Sequence, residues 1–276
     1  MSRLSEVTAA LRADGVRPVV PFLTAGWPDD ACCRGALRGM RDAGCRLVEI
    51  GVPFSDPVAD GPVIQAASQA ALARGMTPAR ALEVADWARR ELDLAVVLMG
   101  YLNPVLRQGP ARFAAACGQA GVAGVIVPDL PLDEAAGLRA LLAARGVDLV
   151  SLVAPTTDPG RLARVAAAAT GFLYLVSTTG VTGRGAGAGD DLEAYAARVR
   201  AASELPLYVG FGVGTPAQAA RVGRCADGAI VGSALLRRLE GCGDSDAARG
   251  VTDAFLRELH AALNPTGPGL AKGGPR

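Results

Sequence analysis

The chain has 276 residues, half of them hydrophobic, and sets 28 lysines and arginines against 27 aspartates and glutamates for a net charge of +1. That length suits one large α/β barrel or two small domains. The balanced charge leaves no basic field to draw in nucleic acid or an anionic membrane, and no apolar stretch approaches the roughly 20 residues a membrane helix needs.

The opening residues Met1 to Glu6 bring an acid early and no apolar export core, so no signal peptide is visible and a cytoplasmic location is expected. The first strand is read over 18–24. Behind it, Cys33, Ala36, Leu37 and Met40 fall at i, i+3, i+4 and i+7, the apolar face of a helix. The second strand, 46–51, is apolar except for Glu49. An ionised carboxylate in such a strand loses several kcal/mol of hydration unless something compensates it, so its titration moves upward, into the range useful for proton transfer. Two readings stand at this point: a partly exposed strand-end glutamate in an ordinary ion pair, or an acid/base sheltered by Val48, Ile50 and Phe22. The Asp- and Pro-rich segment Val52 to Pro62, which carries Asp60, favours the second.

An additional helix is read over 61–74, ahead of one that begins at Thr77-Pro78, where a capping hydroxyl precedes a proline suited to the first turn. Strands follow at 94–100, 122–127 and 147–153, with the face Phe113, Ala116, Cys117 and Ala120 marking a helix between the first two. Asp158-Pro159 starts a further helix, and the sixth strand is 171–177. Residues 178–191 carry little apolar mass and five glycines between Gly180 and Gly189, which suits either a plain surface loop or a lid that orders over a ligand. The seventh strand, 205–210, runs into Gly210-Phe211-Gly212-Val213-Gly214 and a helix from Thr215-Pro216; the eighth, 226–232, runs into Gly232-Ser233. Each glycine turn alone is ordinary turn chemistry. Two in succession suggest a phosphate clamp of backbone amides, built without lysine or arginine.

Eight βα units with strands apolar on both faces indicate the α/β class and a closed (β/α)8 TIM barrel, with an additional helix after the second strand, rather than a doubly wound sheet. Residues 1–263 are expected to form a single catalytic domain and 264–276, rich in Gly and Pro, a disordered tail. Barrel chemistry sits at the carboxyl ends of the strands, which is where Glu49, Asp60, Asn103, Asp129, the 178–189 loop and the glycine turns fall. The single histidine, His260, lies in the helical stretch 247–263 and argues against catalytic triads and multi-histidine metal sites; no metal is expected. The six cysteines are scattered and read as reduced, mostly buried small residues. Any acid or base is expected to be a carboxylate.

Several segments together resemble the tryptophan synthase alpha subunit family: Pro21 to Pro28, Glu49 to Pro62, Gly100-Tyr101-Leu102-Asn103-Pro104, Val127-Pro128-Asp129-Leu130-Pro131, Tyr174 to Gly183, Gly210-Phe211-Gly212 and Gly232-Ser233. They span all but the tail. The resemblance implies a (β/α)8 barrel that splits indole-3-glycerol phosphate into indole and glyceraldehyde 3-phosphate with no cofactor of its own. It also implies a pyridoxal-phosphate beta subunit as partner, in an α2β2 assembly that channels indole.

Carried over by position, the resemblance makes Glu49 the principal acid/base and Asp60 the acid that steadies the indole nitrogen. Gly183, Phe211, Gly212, Gly232 and Ser233 match phosphate-holding positions. Phe22, Met99, Ile126, Tyr174 and Thr182 match the indole pocket or its supports, and Pro53, Asp56 and Pro57 match a loop that touches the partner. The chain departs from enteric members at Thr178, where they carry Arg, and in the Gly- and Ala-rich 184–191 segment; both bear on lid motion and regulation. Other phosphate-binding barrels generally need a catalytic Lys or Cys near the strand ends, and the only lysine here is Lys272. A stand-alone indole lyase and a catalytically impaired activator of a beta subunit remain as alternatives.

Overall fold

The computed structural model describes residues 2–176, 192–210 and 212–265. Nine parallel strands make one sheet: β1 Val19–Thr24, β2 Leu47–Gly51, β3 Ala95–Met99, β4 Gly124–Ile126, β5 Asp148–Leu149, β6 Ser151–Val153, β7 Leu173–Val176, β8 Leu207–Gly210 and β9 Gly228–Val231. Their spatial order is β5-β4-β3-β2-β1-β9-β8-β7-β6. The two ends of that order are consecutive in the chain. They are the halves of the fifth strand expected over 147–153, parted at Val150: β5 pairs with β4, and β6 pairs with β7. The backbone N–H of Val150 still donates to the carbonyl of Val125, so the ring closes through a bend in one strand rather than through an open edge. The sheet is therefore an eight-unit parallel barrel.

The helices form where the caps and apolar faces placed them. Thr77, Asp158 and Thr215 each accept a backbone N–H at the start of α4 Pro78–Leu92, α8 Pro159–Ala168 and α10 Pro216–Val222, counting helices in chain order. The additional helix after the second strand is α3 Pro62–Ala73. Between β3 and β4 the chain makes two helices, α5 Leu102–Gln108 and α6 Pro110–Gln119, because Gly109 takes φ +90° and Pro110 has no N–H to continue the first. After β9, α11 Ser233–Leu239 and α12 Ser245–Leu263 complete the wall.

The sequence reading also passed over the first element of the chain. Helix α1 Arg3–Ala13 closes the amino-terminal end of the barrel, burying Leu4, Thr8 and Leu11 at i, i+4 and i+7. Thr8 in the middle of that stripe hid the pattern. Leu4 is fully buried, worth roughly 2–3 kcal/mol on apolar area. A Cβ on Gly124 would come within 2.7 Å of its side chain, so the strand lacks one there. On the outside, α2 Asp30–Asp42 carries Gly35 and Gly39 against α12: a Cβ on Gly39 would come within 2.9 Å of Thr252 Cβ, and one on Gly35 would overlap the Ser245 backbone. His260 sits in this layer, buried, with its Nε2 3.8 Å from Cys45 Sγ and its pKa lowered to about 4 by that burial. All six cysteines are free thiols.

Candidate active site

Side chains alternate across a strand, so in β2 Val48 and Ile50 face the helices while Glu49 faces the barrel interior. The shelter expected from Val48 and Ile50 therefore comes from elsewhere. Phe22, the register partner of Glu49 on β1, and Tyr174 stand beside it. Glu49 is only 2 % exposed, and its pKa is raised to about 8, first by burial and second by the negative charge of Asp60. Among the described residues it has no ion pair, which removes the reading of an ordinary strand-end salt bridge.

Asp60 ends the loop between β2 and α3. Turns hold that loop: Val58 N–H donates to Asp56 O at 3.0 Å and Asp60 N–H to Pro57 O at 3.1 Å. Tyr101 then anchors it. The Tyr101 hydroxyl accepts the N–H of Ala59 at 3.0 Å and hydrogen-bonds the Asp60 carboxyl, with its ring 5.4 Å from Phe54. Burial raises the Asp60 pKa to about 6 and the Tyr101 hydrogen bond pulls it back. Asp60 is thus more sheltered than a polar loop suggests, yet mostly ionised at pH 7. Tyr101 is a functional residue the sequence reading did not single out; its signal was a lone aromatic at the end of β3.

Glu49 and Asp60 open on one cavity of about 400 Å³. Of the residues expected in the pocket, Phe22, Met99, Tyr174, Gly212, Gly232 and Ser233 line it. Ile126 is Met99's register partner on β4 but is not among the lining side chains. Thr182, Gly183 and Phe211 lie outside the described residues, as do Thr178, the 184–191 lid and the tail from residue 266. Ile64, Val213 and Ile230 add apolar wall that the sequence reading missed, because nothing in their own neighbourhoods marks them. A larger depression of about 570 Å³ lies at the opposite end, between α1 and the start of β8, and holds neither acid.

Glycines make room for the rings that shape this cavity. A Cβ on Gly51 would meet Phe22 Cζ at 2.5 Å, and one on Gly210 would overlap the Tyr174 ring. Burial and the charges of Glu49 and Asp60 raise the pKa of Tyr174, so it stays a neutral phenol.

The two glycine turns meet across the far end of the cavity, where a Cβ on Gly214 would come within 2.8 Å of Ala234 Cβ. Gln218 Oε1 accepts the Gly214 N–H at 2.9 Å, which leaves Gly212, Gly232 and Ser233 to present the remaining amides of these turns. Two residues that the reading of a clamp without lysine or arginine did not include, Arg237 and Arg238 on α11, also line the cavity. A residue four positions after Ser233 lies on the same helix face, a spacing the turn-centred reading did not follow.

In the partner loop, Pro53 and Pro57 are buried and Asp56 is exposed, its carboxylate accepting from Ser55 Oγ at 2.5 Å. Beside it, Val58 is 82 % exposed, and Leu106 on α5 is 57 % exposed. Asp129 accepts the Leu102 N–H at 2.9 Å and so fixes the start of α5, while Asn103 is exposed. Among the described residues there is no cluster of three or more His, Cys, Asp or Glu fit to hold a metal, and no helix long and apolar enough to cross a membrane.

The family model described as Tryptophan synthase alpha chain matches residues 8–263. The tryptophan synthase alpha chain of Gluconacetobacter diazotrophicus is 49 % identical over 260 residues, covering 94 % of both chains. That of Chloroflexus aurantiacus is 47 % identical over 264 residues, covering 95 % of this chain and 99 % of its own. Among solved structures, the tryptophan synthase alpha subunit of Legionella pneumophila superposes with a TM-score of 0.86 at 34 % identity, over 96 % of this chain and 99 % of that one. A Mycobacterium tuberculosis tryptophan synthase chain does so at 0.84 and 38 %, over 95 % and 98 %.

Proposed function

Because the chain belongs to the tryptophan synthase alpha chain family, we propose that Glu49 and Asp60 divide between them the proton and charge handling of the alpha reaction. The protein is a carbon–carbon lyase of tryptophan biosynthesis that splits indole-3-glycerol phosphate into indole and glyceraldehyde 3-phosphate. The cleavage is a retro-aldol. A proton is added at indole C3, the hydroxyl on the adjoining carbon loses its proton to become the aldehyde, and the electron pair of the broken C–C bond restores the indole ring.

The observation that carries the assignment is the separation of two neighbouring carboxyls, Glu49 raised to about 8 and Asp60 to about 6. Near pH 7 the first is mainly protonated and the second mainly ionised. Glu49 has the proton that C3 needs, and once it is given, the carboxylate left behind takes the hydroxyl proton. Asp60 accepts from the indole N–H and stabilises the positive charge that protonation at C3 places on the ring nitrogen. Phe22, Met99 and Tyr174 hold the ring, Ile126 backs Met99, and the amides of Gly212, Gly232 and Ser233 receive the phosphoryl group. By position, Phe211, Thr182 and Gly183 complete the phosphate and indole sites. The protonated ring itself accepts the electron pair of the breaking C–C bond, and the other steps are proton transfers between carbon, oxygen and a carboxyl, so this chain needs no cofactor of its own for it.

Residues 1–263 serve as one catalytic domain, with 264–276 appended to it. A pyridoxal-phosphate beta subunit in the cytoplasm is the partner, in an α2β2 assembly that receives indole. Exposed Val58, next to Pro57 in the loop that also carries Pro53 and Asp56, offers it an apolar contact. The test is to add indole-3-glycerol phosphate to the purified chain and follow indole, with and without a beta subunit. Indole release that rises with the partner, as the protein shifts to a larger species, supports the whole reading. No release under either condition refutes the enzyme reading, and release indifferent to the partner leaves a stand-alone lyase.

A further inference from the structure

We propose that Arg237 is a specificity-determining residue of this site, a cation placed to receive the phosphoryl dianion of the substrate and to favour phosphorylated over unphosphorylated ligands. The proposal rests on the reading of the cavity as an indole-glycerol-phosphate site.

Three observations converge on it. Arg237 lines the cavity that holds Glu49 and Asp60, yet it is not among the causes that shift either carboxyl. Its charge therefore acts at the other end of the cavity, beside Gly232, Ser233 and Gly214. It follows Ser233 by four residues on α11, so the two Cβ atoms lie roughly 5–6 Å apart on one helix face. Helical side chains lean toward the amino terminus, which carries the guanidinium back over the Ser233 turn. Among the described residues, finally, Arg237 makes no hydrogen bond or ion pair, whereas its neighbour Arg238 is held by the Ala234 carbonyl at 3.0 Å and by the Phe255 ring at 3.8 Å. One arginine is fixed to the protein. The other is unengaged and faces the cavity.

Amides alone hold a phosphate by dipoles. A guanidinium adds a full charge and a planar fork of donors that matches two phosphoryl oxygens. Because Arg237 is exposed, screening limits its contribution to about tenfold in KM.

The test compares wild type, Arg237→Gln and Arg237→Lys on indole-3-glycerol phosphate and on indoleglycerol, and measures the rise in melting temperature that inorganic phosphate gives each protein. The expected result is that Arg237→Gln lowers the preference for the phosphorylated substrate about tenfold through KM, flattens its dependence on salt and weakens stabilisation by phosphate, while Arg237→Lys restores much of each. An unchanged preference together with an unchanged phosphate response overturns the proposal, as does an equal loss on both substrates, which marks a structural role. If wild type releases no indole, the function reading fails instead, and the phosphate response still decides on Arg237.

Discussion

Glu49→Gln should make the protein more stable as it makes it inactive, and the gain should grow with pH. The wild-type carboxyl has an ordinary value of 4.5 and a folded value of about 8. A group whose folded pKa is raised gives its full stability below the unfolded value and loses it as pH climbs through the folded one. At about 1.4 kcal/mol per pH unit, the penalty on the wild-type fold is near zero below pH 4.5, about 3 kcal/mol at pH 7 and roughly 5 kcal/mol above pH 8. Glutamine keeps the shape and never ionises, so the variant escapes that penalty. With a denaturant slope of about 2–3 kcal/mol per molar urea, the variant's midpoint should sit about 1 M higher at pH 7 and coincide with wild type near pH 4. Urea unfolding of both proteins at pH 4, 5.5, 7 and 8.5 measures it, and taking the difference at each pH cancels every other titrating group. A midpoint difference that stays flat across that range would falsify the burial of an ionisable Glu49. On the same variant, turnover should fall by several orders of magnitude; retention of more than about a tenth of the wild-type rate rejects Glu49 as the proton carrier.

Wild-type kcat/KM should follow a bell in pH, rising as Asp60 ionises near 6 and falling as Glu49 loses its proton near 8. Asp60→Asn should slow cleavage severely and move the Glu49 titration down by less than about two pH units, since burial is the larger of its two causes; carboxyl NMR of labelled glutamate reads this, and an unmoved titration separates the two acids. Gly210→Ala should push the Tyr174 ring off its place across the barrel, costing about 1–3 kcal/mol of stability and raising KM, and wild-type KM with wild-type stability would contradict the packing. Burial lowers the His260 pKa from 6.5 to about 4, so its contribution to stability is lost as pH falls through that window, by up to roughly 3 kcal/mol. His260→Gln should flatten the acid limb of the stability curve, and an unchanged limb would show that His260 does not govern it.

Much of this molecule was legible in one dimension. The eight strands and the caps at Thr77, Asp158 and Thr215 depend on local chemistry: period-two or unbroken apolar runs, and a hydroxyl or carboxylate that satisfies an exposed N–H. Glu49 stood out because a single charge in an apolar strand conflicts with its neighbours, and such conflicts gather where a protein does chemistry. The sequence also placed Asp60 and the glycine turns at one end of the barrel, since strand ends share a face by topology alone.

What the chain could not declare locally are facts about neighbours distant in sequence. That Val48 and Ile50 face away from the acid, that Tyr101 holds the Asp60 loop, and that Ile126 stands outside the cavity follow from how the strands register and twist. The bend at Val150 exists because β5 must pair with β4 and β6 with β7, a requirement set by closure of the ring. Arg237 joined the cavity through a helix whose rotation is fixed only when its leucines find the core. Sequence set which residues carry charge and which lengths of chain extend or coil, because those depend on near neighbours. Tertiary packing set which charges meet and how far each carboxyl is stripped of water, because proximity across the barrel and burial belong to the assembled fold alone.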